Sequence, residues 1–160
     1  MSDFSTYEEE LERHGKIIHT NVGYSMMPLL RQHRDVMIIE RPEGRLKKYD
    51  CPLYKTPSGK YILHRIIKVR EKDYVIIGDN CVTFERGITD KHIIGVLTGI
   101  IRDGKTITMD NKLYKLYYHL WCDFVHIRIA ILHVIRFARR VFGLPKRLFR
   151  FVKRKIKGEK

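Results

Sequence analysis

The feature that most constrains this chain is a change of period near Asn111. Upstream, the apolar runs are short, β-branched and punctuated: DVMIIE (35–40), YDCPLYK (49–55), KYILHRIIKV (60–69), YVIIGD (74–79), HIIGVLTGII (92–101) and KTITM (105–109). Turn residues separate them, including TPSG at 56–59 and RDG at 102–104, as expected for antiparallel strands joined by hairpins. Downstream, Leu113, Leu116, Leu120, Phe124, Ile127, Ile131, Val134, Ala138 and Phe142 step by three or four residues, which is the period of one helical stripe. Gly143 and Pro145 should interrupt that helix, leaving a second short basic helix to carry Leu148, Val152 and Ile156. At the other end, Phe4, Tyr7 and Leu11 are at helical spacing. Ser5-x-x-Glu8 and Thr6-x-x-Glu9 both fit a capping box, and Gly15 is a stop. The expected architecture is mainly β: a small β domain over residues 1–111 with a short N-terminal helix, then a basic amphipathic helical tail over 112–160.

Charge divides the chain at the same place. The net charge is +14, yet residues 112–160 hold 14 Lys/Arg against only Asp123 and Glu159. A near-neutral domain followed by such a tail implies an anionic partner. The apolar and aromatic content of the tail (Tyr117, Tyr118, Trp121, Phe137) favours an anionic membrane surface over nucleic acid, which the charge would also bind. A third reading has the stripe packing on the β domain. The longest run without a charged side chain is Ile17–Leu30, which contains Asn21, Gly23 and Pro28. That falls short of the roughly 18 apolar residues a spanning helix needs. The acidic start MSDFSTYEEELER has no signal-peptide pattern. A cytoplasmic protein, peripheral on the inner membrane face, is therefore expected. Cys51, Cys81 and Cys122 are isolated and odd in number, so neither disulfides nor a zinc site is expected. His119, His126 and His133 recur every seven residues, not at ligand spacing. No cofactor and no metal are expected.

Three segments gain meaning in combination: GYSMMPLL (23–30), YILHRII (61–67) and VIIGDN (75–80). In this order they resemble the signal peptidase superfamily, whose nucleophile lies in a Ser-Met-x-Pro motif and whose later strands carry the base and a Gly-Asp-Asn turn. The resemblance covers about residues 20 to 102, and the tail has no counterpart in it. It implies Ser25 as nucleophile. Where the bacterial membrane enzymes and the SOS-response repressors use Lys as base, His64-Arg65 resembles the endoplasmic-reticulum and archaeal type, implying His64. On a strand His64 would point opposite to Arg65, and Lys60 and Lys68 would lie about 13 Å away along it. Two acids could orient the imidazole: Asp79 of the GDN turn, and Glu85, which precedes Arg86 where that type has Asp-Arg. Gly23 stands where some members place an oxyanion-binding hydroxyl, which leaves that task to backbone N–H groups near Ser25. Met26 should be a packed anchor, Pro28 a backbone constraint, and Cys81 an inert thiol.

The chemistry is consistent with those roles. A serine hydroxyl needs a hydrogen-bonded base, neutral imidazole can be one, and a carboxylate on the far ring nitrogen fixes the tautomer. The expected function is a serine endopeptidase that acts through an acyl-enzyme on a peptide or protein: a leader peptide, a regulatory protein or itself. The alternative is a non-catalytic relative that binds membrane or nucleic acid through its tail. With His64 as base, a neighbouring carboxylate raising its pKa and burial lowering it, the acid limb of kcat/KM is expected at about 6 to 7.5.

Overall fold

The computed structural model describes residues 6–156, with side chains as far as Val141. Phe4 and Ser5, and the side chains of Phe142 and of the basic cluster from Lys146 to Lys157, lie outside the described residues.

Helix α1 (Tyr7–His14) starts at Thr6, whose hydroxyl accepts from the Glu9 N–H while the Glu9 carboxylate accepts from the Thr6 N–H. The Thr6–Glu9 capping box is thus formed, while the Ser5–Glu8 alternative involves a residue outside the described ones. Gly15 ends the helix at φ 69°, a left-handed conformation that favours glycine. Among the described residues, nine strands follow: β1 (Lys16–Thr20), β2 (Val36–Glu40), β3 (Pro52–Lys55), β4 (Tyr61–Leu63), β5 (Arg65–Val69), β6 (Tyr74–Ile77), β7 (Glu85–Ile88), β8 (Ile93–Arg102) and β9 (Lys105–Thr108). They form two antiparallel sheets. The larger runs β1-β2-β8-β3-β4 with β9 beside β8, and the smaller runs β5-β6-β7. The chain is mainly β, as the sequence implies.

The run 60–69, which reads as one strand, is two. It breaks at His64, so that β4 belongs to the larger sheet and β5 to the smaller. β1 and β7 have too few apolar residues to register as strands by composition: KIIHT buries only Ile17, and ERGI buries none. Each is recruited by its neighbour, β1 through its register with β2 and β7 through pairing with β6. One core gathers Leu11, Met26, Leu30, Ile39, Leu53 and Ile100, and a second gathers Tyr54, Ile66, Tyr74 and Ile76 under the smaller sheet. Met26, 2% exposed, is the packed anchor expected of it.

The tail differs from expectation in two ways. The helix breaks at Phe124, between α2 (Lys112–Asp123) and α3 (Val125–Ile156), and then runs through Gly143 and Pro145 without interruption. The boundary between compact units also lies at Phe124, not at Asn111. α2 is part of the β domain because its aromatic face is buried there. Tyr114 receives a hydrogen bond from Arg65 at 2.8 Å, Tyr117 donates to Asp79 at 2.9 Å, and the Trp121 indole donates to the Asp79 carbonyl at 2.9 Å. The leucine stripe faces the other way: Leu113, Leu116, Leu120 and Phe124 are all more than half exposed. Within α3, Ile127, Ile131, Val134 and Phe137 are likewise exposed.

Candidate active site

Ser25 sits in the loop between β1 and β2, and this loop is held from both ends. Behind it, buried Asp35 receives Arg31 at 2.8 Å and Arg102 at 2.6 Å, and Arg102 also donates to the Leu29 carbonyl at 2.5 Å. Burial opposes the Asp35 charge, but these guanidiniums lower its carboxyl to about 2. In front, the GDN turn grips the loop: the Asn80 N–H donates to the Ser25 carbonyl at 2.7 Å, and its side-chain amide donates to the Tyr24 carbonyl at 3.2 Å. Among the described residues, the N–H groups of Ser25 and Met26 donate to no backbone carbonyl. They are the groups that an oxyanion could recruit.

His64 lies at the break between β4 and β5 and is 7% exposed. Its Nδ1 is 2.6 Å from Glu85 Oε1, at the start of β7, and the other Glu85 oxygen accepts from the Tyr54 hydroxyl at 2.5 Å. Side chains from β3 of the larger sheet and β7 of the smaller thus fix one ring nitrogen. Burial works against an imidazolium, but the Cys81 and Glu85 side chains outweigh it and raise His64 to about 9. The imidazole in turn holds the Glu85 carboxyl below its usual value.

Of the two candidate orienters, the structure brings only Glu85 to the imidazole. Asp79 is fully buried on the other side, in a bidentate pair with Arg65 at 2.9 and 2.8 Å. The opposed directions of His64 and Arg65 are as strand alternation requires. Lys60 and Lys68 are exposed, and neither lines the Ser25 cavity.

Ser25 and His64 line one cavity of about 370 Å³ together with Asn21, Gly23, Met37 and Leu63. No direct hydrogen bond joins Ser25 and His64 among the described residues. The far ring nitrogen is nevertheless close to the Ser25 loop. A methyl group on Gly78 would stand 2.7 Å from the Ser25 carbonyl oxygen, 2.7 Å from Cys81 Sγ and 2.9 Å from His64 Nε2. Only glycine fits there. Cys81, expected to be an inert buried thiol, is half-buried and faces the imidazole, a placement that its position one residue after the turn could have signalled.

No family model, curated protein or solved structure matches this chain.

Proposed function

We propose that the chain is a serine hydrolase of the Ser–His type. Within that class, its motifs point to a peptidase of the signal-peptidase kind, acting on an extended peptide. The observation that carries this reading is that Ser25 and His64 share a cavity while Glu85 holds the ring nitrogen facing away from it. Ser25 Oγ attacks the scissile carbonyl as His64 Nε2 takes its proton. Glu85 stabilises the imidazolium, and the imidazolium then protonates the leaving amine. Water repeats the sequence on the acyl-enzyme. The missing Ser25–His64 hydrogen bond is compatible with this, since such contacts commonly tighten only when substrate binds. A fluorophosphonate probe is expected to modify Ser25 in the native chain and not in the His64→Ala variant. An unlabelled native chain would favour a non-catalytic platform instead.

Because Nε2 must be unprotonated to act, the environment of His64 changes the expected pH dependence. Activity should rise as pH increases through about 9, well above the limb that an unperturbed imidazole would give. Glu85→Gln removes one of the groups that raises this value and should shift the limb to lower pH. A kcat/KM profile from about pH 6 to 10 measures both, and a wild-type limb near 6.5 would contradict the coupling.

The anionic partner is a membrane surface. The apolar stripe of α2 (Leu113, Leu116, Leu120) is exposed within its own unit, which disfavours the reading in which that part of the stripe covers the β domain. Residues 125–160 carry 12 Lys/Arg against Glu159 alone, at about 1 kcal/mol per basic residue near anionic lipid. A chain ending at Phe124 should keep its fold and lose at least tenfold in affinity for phosphatidylglycerol vesicles, measured by sedimentation. Undiminished binding would move the lipid site into the β domain.

A further inference from the structure

The chain has three thiols, and Cys81 is one that lies beside an imidazole. Cys51 is buried, and burial pushes its thiol up to about 12. Cys122 is buried as well. Cys81 is half-buried, and its sulfur and the Nε2 of a buried imidazole converge on the same point above Gly78. The opposite ring nitrogen is fixed by Glu85 at 2.6 Å. Sulfur, imidazole and carboxylate therefore form a second nucleophile–base–orienter series, sharing its last two members with Ser25.

We propose that Cys81 is a covalent-modification site for soft carbon electrophiles, activated by His64, and that its capping closes the Ser25 site. Cysteines beside a histidine that carries a proton are the reactive ones in proteins, and thiols buried in apolar surroundings are not. In the step itself, the sulfur attacks the electrophilic carbon. With iodoacetamide, an S–C bond forms, the C–I bond breaks, iodide leaves, and the thiol proton passes to solvent. No oxidant or reductant is consumed. Gly78 closes one side of the shared space, so a group added to Sγ covers Nε2 and denies it to Ser25. The closing of the site rests on the hydrolase reading above. The reactivity of the thiol does not.

The experiment treats the full chain with iodoacetamide at neutral pH and follows each cysteine by peptide mass spectrometry. Cys81 should react at least about tenfold faster than Cys51 and Cys122, and the three rates should converge in denaturant. His64→Gln and, separately, Glu85→Gln should each slow Cys81 severalfold, so the result does not hang on one variant folding. Equal native rates for the three cysteines, or a Cys81 rate indifferent to both variants, would overturn the proposal. The second arm asks whether fluorophosphonate still labels Ser25. Alkylated wild type should fail to label, whereas Cys81→Ala should label to the same extent with and without iodoacetamide. Full labelling of the Cys81-alkylated chain would refute the closing of the site. Failure of the untreated chain to label would refute the hydrolase reading and the closing with it, while the mass-spectrometric rates still decide the reactivity.

Discussion

Ser25→Ala and His64→Ala are each expected to lower peptide turnover by about a thousandfold or more, and the double variant should be hardly worse than either single one. A nucleophile without its base, or a base without its nucleophile, has already lost the shared step, so the two losses do not add. Neither change should unfold the domain. Ser25 Oγ supports no hydrogen bond that the loop depends on, since the loop is held through its carbonyl by Asn80 and from behind by Asp35. Removing the imidazole leaves Glu85 bonded to Tyr54 and one-third exposed, so its charge is not stranded. Circular dichroism and turnover on a cleavable peptide are the two measurements needed. Additive losses, or an Ser25→Ala variant with near-normal turnover, would mean that the two side chains do not act as a pair.

Asp79→Asn should produce the largest loss of stability of any single change near the site, about 3–5 kcal/mol. The pair it breaks is wholly buried, and the Arg65 charge left behind has no access to water. The same carboxylate also accepts from the Tyr117 hydroxyl, so the change weakens the seat of α2 as well. Glu85→Gln should do the reverse, sparing the fold and costing orders of magnitude in turnover. Urea unfolding alongside kinetics separates the two acids. An Asp79→Asn chain of normal stability and abolished activity would return Asp79 to the role of orienter.

The strands that depend on their own apolar alternation were legible in the sequence. β2, β3, β6, β8 and β9 fall within the runs that composition marks. β1 and β7 were not, because the residues that make them strands are on the partner strand. The break at His64 was also hidden, since YILHRIIKV has an unbroken β pattern and only the two-sheet topology divides it. Motif order brought out Ser25 and His64, but no spacing rule could choose between Asp79 and Glu85. That choice depends on which face of β5 the turn at 78–80 packs against, and buried Arg65 decides it. In the tail, periodicity located the apolar stripe correctly but not its fate. Tyr114, Tyr117 and Trp121 bury the opposite face of α2, because their polar atoms find Arg65 and Asp79 inside. Gly143 and Pro145 carry a breaker signal in the sequence. Helix α3 passes through both, and the break occurs instead at Phe124, which carries no breaker signal.

The contacts of Trp121 also impose an order in time. Its indole holds the Asp79 carbonyl, and the next residue, Asn80, holds the carbonyl of Ser25. Ser25 comes early in the chain and His64 and Glu85 follow, yet the turn that steadies the Ser25 loop is itself secured by a residue near the end of α2. During synthesis on the ribosome, Ser25, His64 and Glu85 would all be exposed before that last contact could form. A nascent chain therefore carries these side chains for several dozen residues without the brace on the Ser25 loop, which forms only after α2 has left the exit tunnel and docked.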